Sequence, residues 1–222
     1  MKINARLKKI GDLVEANSFC LDVGCDHGLL DIYLVKKNKN IKAVASDIAK
    51  GPLDQAKKNI AKEGLQDQIE VRLGPGLDTY TKEIDTIIIS GMGGRNIIGI
   101  LKENSKILKK IKTIILSPNN YQEDVKKYCC KNGFYIENEE FVRDNRFIYQ
   151  IIVLKPGTKK YSKKEYFFGP VFIQKKGPLF RDYYLRELKS REILLTLLPK
   201  NYCIKRMKTK KEIDMIRKEI TD

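Results

Sequence analysis

The chain has 222 residues, 42% of them hydrophobic, enough for one α/β domain with a small appendage and too few contiguous apolar residues anywhere to cross a bilayer. Its five cysteines, Cys20, Cys25, Cys129, Cys130 and Cys203, are odd in number and form no Cys-x-x-Cys pair, which speaks against a disulfide framework or a zinc site. A net charge of +16, from 44 basic and 28 acidic residues, points to a polyanionic partner, because Lys and Arg that neutralise phosphates release counterions.

The opening Met1-Lys2-Ile3-Asn4-Ala5-Arg6 has no signal-peptide apolar region, so a cytoplasmic protein is expected. Over residues 2–16, Ile3, Leu7, Ile10 and Val14 share one helical face, with Lys2, Arg6, Lys8 and Lys9 largely off it. Such a helix is either a lid beside a ligand site or a plain packing helix.

Phe19-Cys20-Leu21-Asp22-Val23 then reads as a short buried strand, followed by a sharp turn through Gly24 and Gly28 and an apolar helix, Leu29-Leu30-Asp31-Ile32-Tyr33-Leu34-Val35. Strand, glycine turn and helix N-terminus place backbone N–H groups against a nucleotide-like ligand. A dinucleotide fingerprint wants glycine at 26 and 29, where this chain has Asp26 and Leu29. An acid two residues before the first glycine instead resembles the first motif of class I methyltransferases, with Asp26 in place of the usual middle glycine.

Ile41 to Asp47 reads as a second strand ending in an acid, about 20 residues past the glycine turn, where a carboxylate can accept both ribose hydroxyls of an adenosine. Gly51-Pro52 opens a helix running to about Glu63, with Leu53, Ala56 and Ile60 on one face. Ile69 to Leu73 alternates as a third strand, and Gly74-Pro75-Gly76-Leu77 after it either reads a base edge or serves as a structural turn. Ile84 to Ser90 is a continuous apolar run, hence a parallel strand buried on both faces. It enters Gly91-Met92-Gly93-Gly94, and three glycines in four residues at the end of a central strand favour a functional turn. A fifth strand, Thr113 to Leu116, ends in Ser117-Pro118-Asn119-Asn120-Tyr121. Phe134 to Val142 and Phe147 to Leu154, linked by Arg143-Asp144-Asn145-Arg146, form an antiparallel hairpin.

Pro156-Gly157 marks a boundary, giving domains at 1–156 and 157–222. Residues 155–222 carry 19 basic and 8 acidic side chains against 25 and 20 in residues 1–154, so the positive charge concentrates in the tail more than a general lysine bias would leave it. Leu185, Leu188, Ile193, Leu195 and Leu198, then Ile213, Ile216 and Ile220, predict a lysine-studded helical hairpin or short antiparallel coiled coil.

Asp22-Val23-Gly24-Cys25-Asp26-His27-Gly28, Asp47 with Gly51-Pro52, Gly74-Pro75-Gly76-Leu77, Ser90-Gly91-Met92-Gly93-Gly94 and Ser117-Pro118-Asn119 together resemble the bacterial tRNA adenine(22)-N1 methyltransferases, over nearly the whole chain. Two positions depart from that family's usual pattern: Pro75, where an acid or amide is usual, and Ser117, where glutamine is usual. The resemblance implies a Rossmann-like class I methyltransferase fold, a seven-stranded sheet with helices on both faces, followed by a basic helical tRNA-binding domain. It implies S-adenosylmethionine as cofactor, tRNA as partner, no metal and a monomer. It places the expected cofactor contacts on Asp22, Gly24, Cys25, Gly28, Asp47, Ile48, Gly74, Pro75, Gly76, Ser90 and Gly91, and the expected wall against the target base on Met92, Gly93, Gly94 and Tyr121, with Asn119 on the base edge.

Adenine N1 has an in-plane lone pair and needs no deprotonation, so catalysis is mostly positioning. The methylated ring is cationic, which makes Asp26 the candidate catalytic carboxylate; the alternative is that it only bonds the cofactor's amino-acid end. His27, the one histidine, contacts cofactor or base or serves packing. An Asn/Asp-Pro-Pro-aromatic clamp is absent, which argues against amino-directed adenine methylation. Ribosomal RNA as substrate, a nucleotide-dependent oxidoreductase and a non-catalytic RNA-binding protein on the same fold are the competing readings.

Overall fold

The computed structural model describes residues 3–221; Lys2, placed above off the face of the first helix, lies outside them. The chain divides into two compact units, one up to Ile173 and one from Gln174.

In the first unit the elements alternate: α1 (Ala5–Asp12), β1 (Phe19–Val23), α2 (Leu29–Lys37), β2 (Lys42–Asp47), α3 (Lys50–Lys62), β3 (Ile69–Leu73), β4 (Thr86–Ser90), α4 (Gly94–Glu103), α5 (Ser105–Leu108), β5 (Thr113–Ser117), α6 (Gln122–Lys131), β6 (Phe134–Asp144), β7 (Phe147–Pro156), α7 (Lys163–Phe168) and α8 (Pro170–Lys175). The seven strands form one sheet in the order β3-β2-β1-β4-β5-β7-β6. The first five are parallel, and β7 runs antiparallel to both β5 and β6. This is the expected Rossmann-like arrangement. Chain order reverses beside β1 and β4, which opens a crevice at their carboxyl ends.

The β-branched runs explain the burial. In β4 and β5, alternate side chains enter opposite cores: Ile87, Ile89, Ile114 and Leu116 join Ile97, Leu101, Val125 and Cys129 on one face. Ile88 and Ile115 join Leu30, Leu34, Leu53, Ala56 and Ile60 on the other. Side chains of central parallel strands meet helices on both sides, so the strands carry no polar face.

The first helix is shorter than the 2–16 periodicity predicts. Asn4 caps it, accepting from Leu7 N at 2.8 Å, and it ends at Asp12. The boundary expected at Pro156-Gly157 also lies earlier than the seam of compact units. Residues 157–173 pack onto the sheet: the Tyr161 hydroxyl accepts from Ile136 N at 3.0 Å, and Phe172 stacks on Phe141 at 3.9 Å. Phe168 is fully buried, and Glu139 accepts from Val171 N at 3.0 Å while pairing at 3.3 Å with Lys126.

The second unit is a helical hairpin, α9 (Pro178–Leu197) and α10 (Cys203–Thr221). The helices are antiparallel, since Arg206 donates to Leu195 O, Arg191 pairs with Glu212, and Lys176 with Glu219. Its buried apolar side chains are Phe180, Tyr184, Leu198, Ile213 and Ile216. Leu185 and Ile193, expected on the packed face, are 44% and 51% exposed; the half-buried Arg191 faces α10 instead, paired with Glu212.

Candidate active site

The first turn shows why glycine and aspartate occupy it. Gly24 has φ 77°, Asp26 φ 55° and Gly28 φ 69°, all left-handed. Aspartate is one of the few side chains that tolerate this region, so Asp26 can stand where a glycine is usual. Gly24 N and Cys25 N donate to Ser46 O at 2.8 and 3.0 Å, binding the turn to β2. A Cβ on Gly28 would come within 3.2 Å of Ala56 on α3. Asp26 and His27 project outward, the side chains 74% and 46% exposed, with His27 Nε2 3.5 Å from Asp26 Oδ1. The His27 carbonyl accepts from Asn59 Nδ2 at 2.9 Å.

Beneath the turn lie two buried acids, Asp22 on β1 and Asp31 on α2. Burial, then the charges of Asp31 and Asp47, push the Asp22 carboxyl well above the usual carboxylate range. Burial pushes Asp31 up to about 7, and neither of its oxygens has a partner among the described residues. Cys25 is buried there too, its thiol held protonated by burial and by Asp31.

At the end of β2, Asp47 Oδ1 accepts from Ala49 N at 2.8 Å, and its carbonyl accepts from Gly74 N at 3.0 Å. The apolar Ile48 and Leu73 stand 74% and 61% exposed beside it. Pro75 is exposed, and Gly76, at φ 51°, sits where a Cβ would lie 3.2 Å from Ile100.

The turns after β4 and β5 form one braced unit. Gly91 N donates to Ser117 O at 3.1 Å, Asn119 N to Met92 O at 2.9 Å, and Asn119 Nδ2 to Gly91 O at 2.6 Å. Asn120 Oδ1 caps α4 by accepting from Gly94 N at 3.0 Å. A Cβ on Gly94 would collide with the Asn120 carbonyl, and Tyr121, at φ 53°, closes the turn with its ring 4.5 Å from Arg95. Ser117 is buried and donates to Gln150 O at 3.0 Å. A Cβ on Gly24 would collide with Met92 Cε, so the first turn and the β4 turn abut.

The cradle fits an adenosyl-amino-acid ligand. It supplies glycine turns open to backbone approach, an acid at ribose distance in sequence, exposed apolar flanks and a buried acidic pair that a cationic ammonium would complement. A family model described as TrmK, tRNA (adenine(22)-N(1))-methyltransferase, matches residues 20–220.

The chain belongs to this family.

It is 28% identical over 196 residues to the tRNA (adenine(22)-N(1))-methyltransferase of Bacillus subtilis (strain 168), covering 85% of this chain and 82% of that one. Among solved structures it is similar to a putative tRNA (m1A22) methyltransferase of Streptococcus pneumoniae in complex with S-adenosyl-L-methionine, with TM-score 0.89, 31% identity, and 97% of this chain and 98% of that one covered. It is also similar to M. capricolum TrmK in complex with S-adenosyl-homocysteine, with TM-score 0.86, 30% identity, and 100% and 99% covered. The chain is a TrmK-family, S-adenosylmethionine-dependent tRNA methyltransferase.

On this TrmK frame the predicted positions group along the carboxyl edge of the sheet: Asp22 to Gly28 after β1, Asp47 and Ile48 after β2, Gly74 to Gly76 after β3, Ser90 to Gly94 after β4, and Asn119 and Tyr121 after β5. Sequence reasoning gave no site role to Asp31 or Arg6. Asp31 left a signal, an acid inside an otherwise apolar helical run. Arg6 Nη1 donates to Asn119 Oδ1 at 3.3 Å, and its guanidinium lies 4.5 Å from the centre of the Tyr149 ring. Among the described residues no group of three or more His, Cys, Asp and Glu side chains is placed to hold a metal ion, and no helix is long and apolar enough to cross a membrane.

Proposed function

We propose that this chain methylates N1 of a tRNA adenosine by holding the base against the cofactor between the abutting turns, with Asp26 as the catalytic carboxylate. The contact of Met92 with Gly24 carries the reading, because it brings the base-side turn onto the cofactor-side turn. The turn from Gly24 to Gly28 and Cys25 hold the amino-acid end over Asp22. Asp47 takes the ribose, Ile48 and the Gly74-Pro75-Gly76 turn flank the adenine, and Ser90 and Gly91 close the pocket. When bound, S-adenosylmethionine supplies a methyl group already activated on a sulfonium.

Met92, Gly93, Gly94 and Tyr121 wall the target base and exclude water, and Asn119, clamped between Gly91 and Arg6, presents its amide at the base edge. Positioning contributes most of the acceleration, since N1 presents its lone pair without proton transfer. Asp26 faces the positive charge that grows on the ring. Asp22 is buried, whereas Asp26 is the open carboxylate of the turn, with His27 beside it.

A base inside folded tRNA must leave its stack or pair to enter such a pocket. The basic hairpin, residues 174–222, grips the tRNA backbone during that step. The reading places a monomer in the cytoplasm.

The test is transfer of labelled methyl from S-adenosylmethionine to total tRNA, followed by nucleoside analysis. 1-Methyladenosine is expected; label in ribosomal RNA alone would overturn the substrate assignment. Asp26→Asn is expected to lower kcat about 100-fold with cofactor affinity unchanged by calorimetry. A selective loss of cofactor affinity would make Asp26 a cofactor ligand instead.

A further inference from the structure

The antiparallel hairpin is much longer than the strands it joins. β6 and β7 span 11 and 10 residues against five in β4 and β5. β7 pairs with β5 only from Ile152 to Leu154. The pairs Phe141↔Gln150, Val142↔Tyr149, Arg143↔Ile148 and Asp144↔Phe147 therefore run past the end of β5. Because β7 is antiparallel, this overhang projects at the carboxyl edge, where the active site lies; the Gln150 carbonyl already accepts from Ser117 at the root of the β5 turn.

Helix α1 is fixed beside the overhang. Lys9 pairs with Glu140 on β6 at 3.5 Å, and Asp12 accepts from Tyr33 at 2.8 Å and Lys37 at 2.7 Å on α2. So held, Arg6 reaches the mouth of the base pocket. A Cβ on Gly91 would lie 3.1 Å from Arg6 Nη2, a further reason for glycine there beside its φ of 78°. The contacts of Arg6 are an amide, a tyrosine ring and a glycine, none of them anionic, and its Nε is buried without a partner. Arg6 is half-buried with no acidic side chain against its guanidinium among the described residues, an arrangement that an anion would complete. A guanidinium fork suits a phosphodiester better than any other anion an RNA presents.

The line continues outward along the hairpin. The Tyr149 and Phe147 rings lie 6.1 Å apart, Phe147 is 50% exposed, and the Arg146 guanidinium sits 4.9 Å from the Phe147 centroid. Cation, ring, ring, cation is the composition that proteins use to hold single-stranded nucleic acid, with rings taking bases and guanidinium groups taking phosphates.

We propose that Arg6, Tyr149, Phe147 and Arg146 form a ladder on the catalytic unit that seats the RNA flanking the target adenosine, with Arg6 on a phosphate at the pocket mouth and Phe147 against an unstacked base. The inference rests on tRNA being the substrate. It adds a second RNA contact, independent of the basic tail, which holds the RNA beside the extruded nucleotide rather than the body of the tRNA.

The experiment is tRNA binding against salt concentration for wild type, Arg6→Gln, Arg6→Lys and Phe147→Ala, with melting curves and cofactor calorimetry on each. Arg6→Gln is expected to weaken tRNA binding about ten-fold and to lower the slope of log affinity against log salt by about one, as loss of one phosphate contact requires. Arg6→Lys keeps the slope and loses part of the affinity. Phe147→Ala weakens binding roughly five-fold with the slope unchanged, because a ring releases no counterion. Cofactor affinity stays within about two-fold throughout. Wild-type affinity and slope in both Arg6→Gln and Phe147→Ala would overturn the ladder, and so would a loss confined to kcat, which would mean that Arg6 acts only through Asn119. If Arg6→Gln does not fold, Phe147→Ala decides, since its side chain is half exposed. Wild-type transfer of methyl to tRNA checks the function separately: if it fails, the substrate reading fails, whatever the variants do.

Discussion

The two units are held by different physics. In the first, two layers of branched aliphatic side chains bury an essentially continuous sheet, and many of them are wholly inaccessible. In the second, two helices bury few large side chains, leave Leu197, Ile204 and Met207 74%, 81% and 55% exposed, and are tied to each other by ion pairs such as Arg191–Glu212 and Arg217–Glu192. Hydrophobic burial scales with area and barely responds to salt, whereas exposed ion pairs are screened. A site needing sub-ångström positioning is built on the first kind of scaffold.

Moving the cut between the units tests the comparison hardest. A chain ending at Ile173 is expected to fold, to keep cofactor affinity within about two-fold, and to lose roughly 100-fold in tRNA affinity at moderate salt. A chain ending at Pro156 removes Phe168 and Phe172 and leaves the buried Lys126–Glu139 pair without Val171. Each lost aromatic costs about 3–5 kcal/mol, so the shorter chain is expected to be unfolded by circular dichroism. Equal folding of both would place the seam at 156.

Within the first unit, Gly94→Val forces a side chain into the Asn120 carbonyl, Tyr121 and Val125. It is expected to lower denaturant stability by roughly 4 kcal/mol and to abolish methyl transfer. Unchanged stability would mean that the two turns are not rigidly braced.

Asp31→Asn acts in the opposite direction. Burial raises the Asp31 pKa to about 7, so the folded protein binds a proton that the unfolded chain has released. Stability contributed by this group is therefore present below about pH 4 and is lost as pH rises to about 7. Without cofactor, the variant is expected to be more stable than wild type by about 4 kcal/mol at pH 8 and indistinguishable from it near pH 3.5. A pH-independent difference in urea midpoints would show that Asp31 does not titrate in this window.

The smallest effect is expected in the tail. Arg217 and Glu192 are well exposed, so Arg217→Ala should change hairpin stability by less than about 0.5 kcal/mol, less still in high salt, as read by helical circular dichroism on heating. A large loss would mean that the tail depends on single ion pairs rather than on their sum.

Much of this was legible in the residue order. The runs Ile84 to Ser90 and Thr113 to Leu116 announce buried parallel strands, and Arg143-Asp144-Asn145-Arg146 between two alternating runs announces the hairpin. The glycines at 24, 28, 91 and 94 announce the crevice turns, because only the backbone conformation or a close approach requires them there. The helical tail was visible, but its buried face was misjudged. Leucine spacing counts Leu185 and Ile193 as core, whereas the buried side chains of α9 are Phe180 and Tyr184.

The sequence by itself determined the order of elements, the end of the sheet that carries the chemistry and the family, since these rest on periodicity and on local motifs. Only the tertiary structure decided that Arg6 meets Asn119 across 113 residues, that Asp31 lies buried without a partner, that the overhanging hairpin lines up Tyr149 and Phe147 with Arg6, and that the seam of compact units falls after Ile173. The physical reason is range. Propensity and turn chemistry act over a few residues, whereas an unpaired charge or a shared core is a property of surfaces that meet only once the chain has folded.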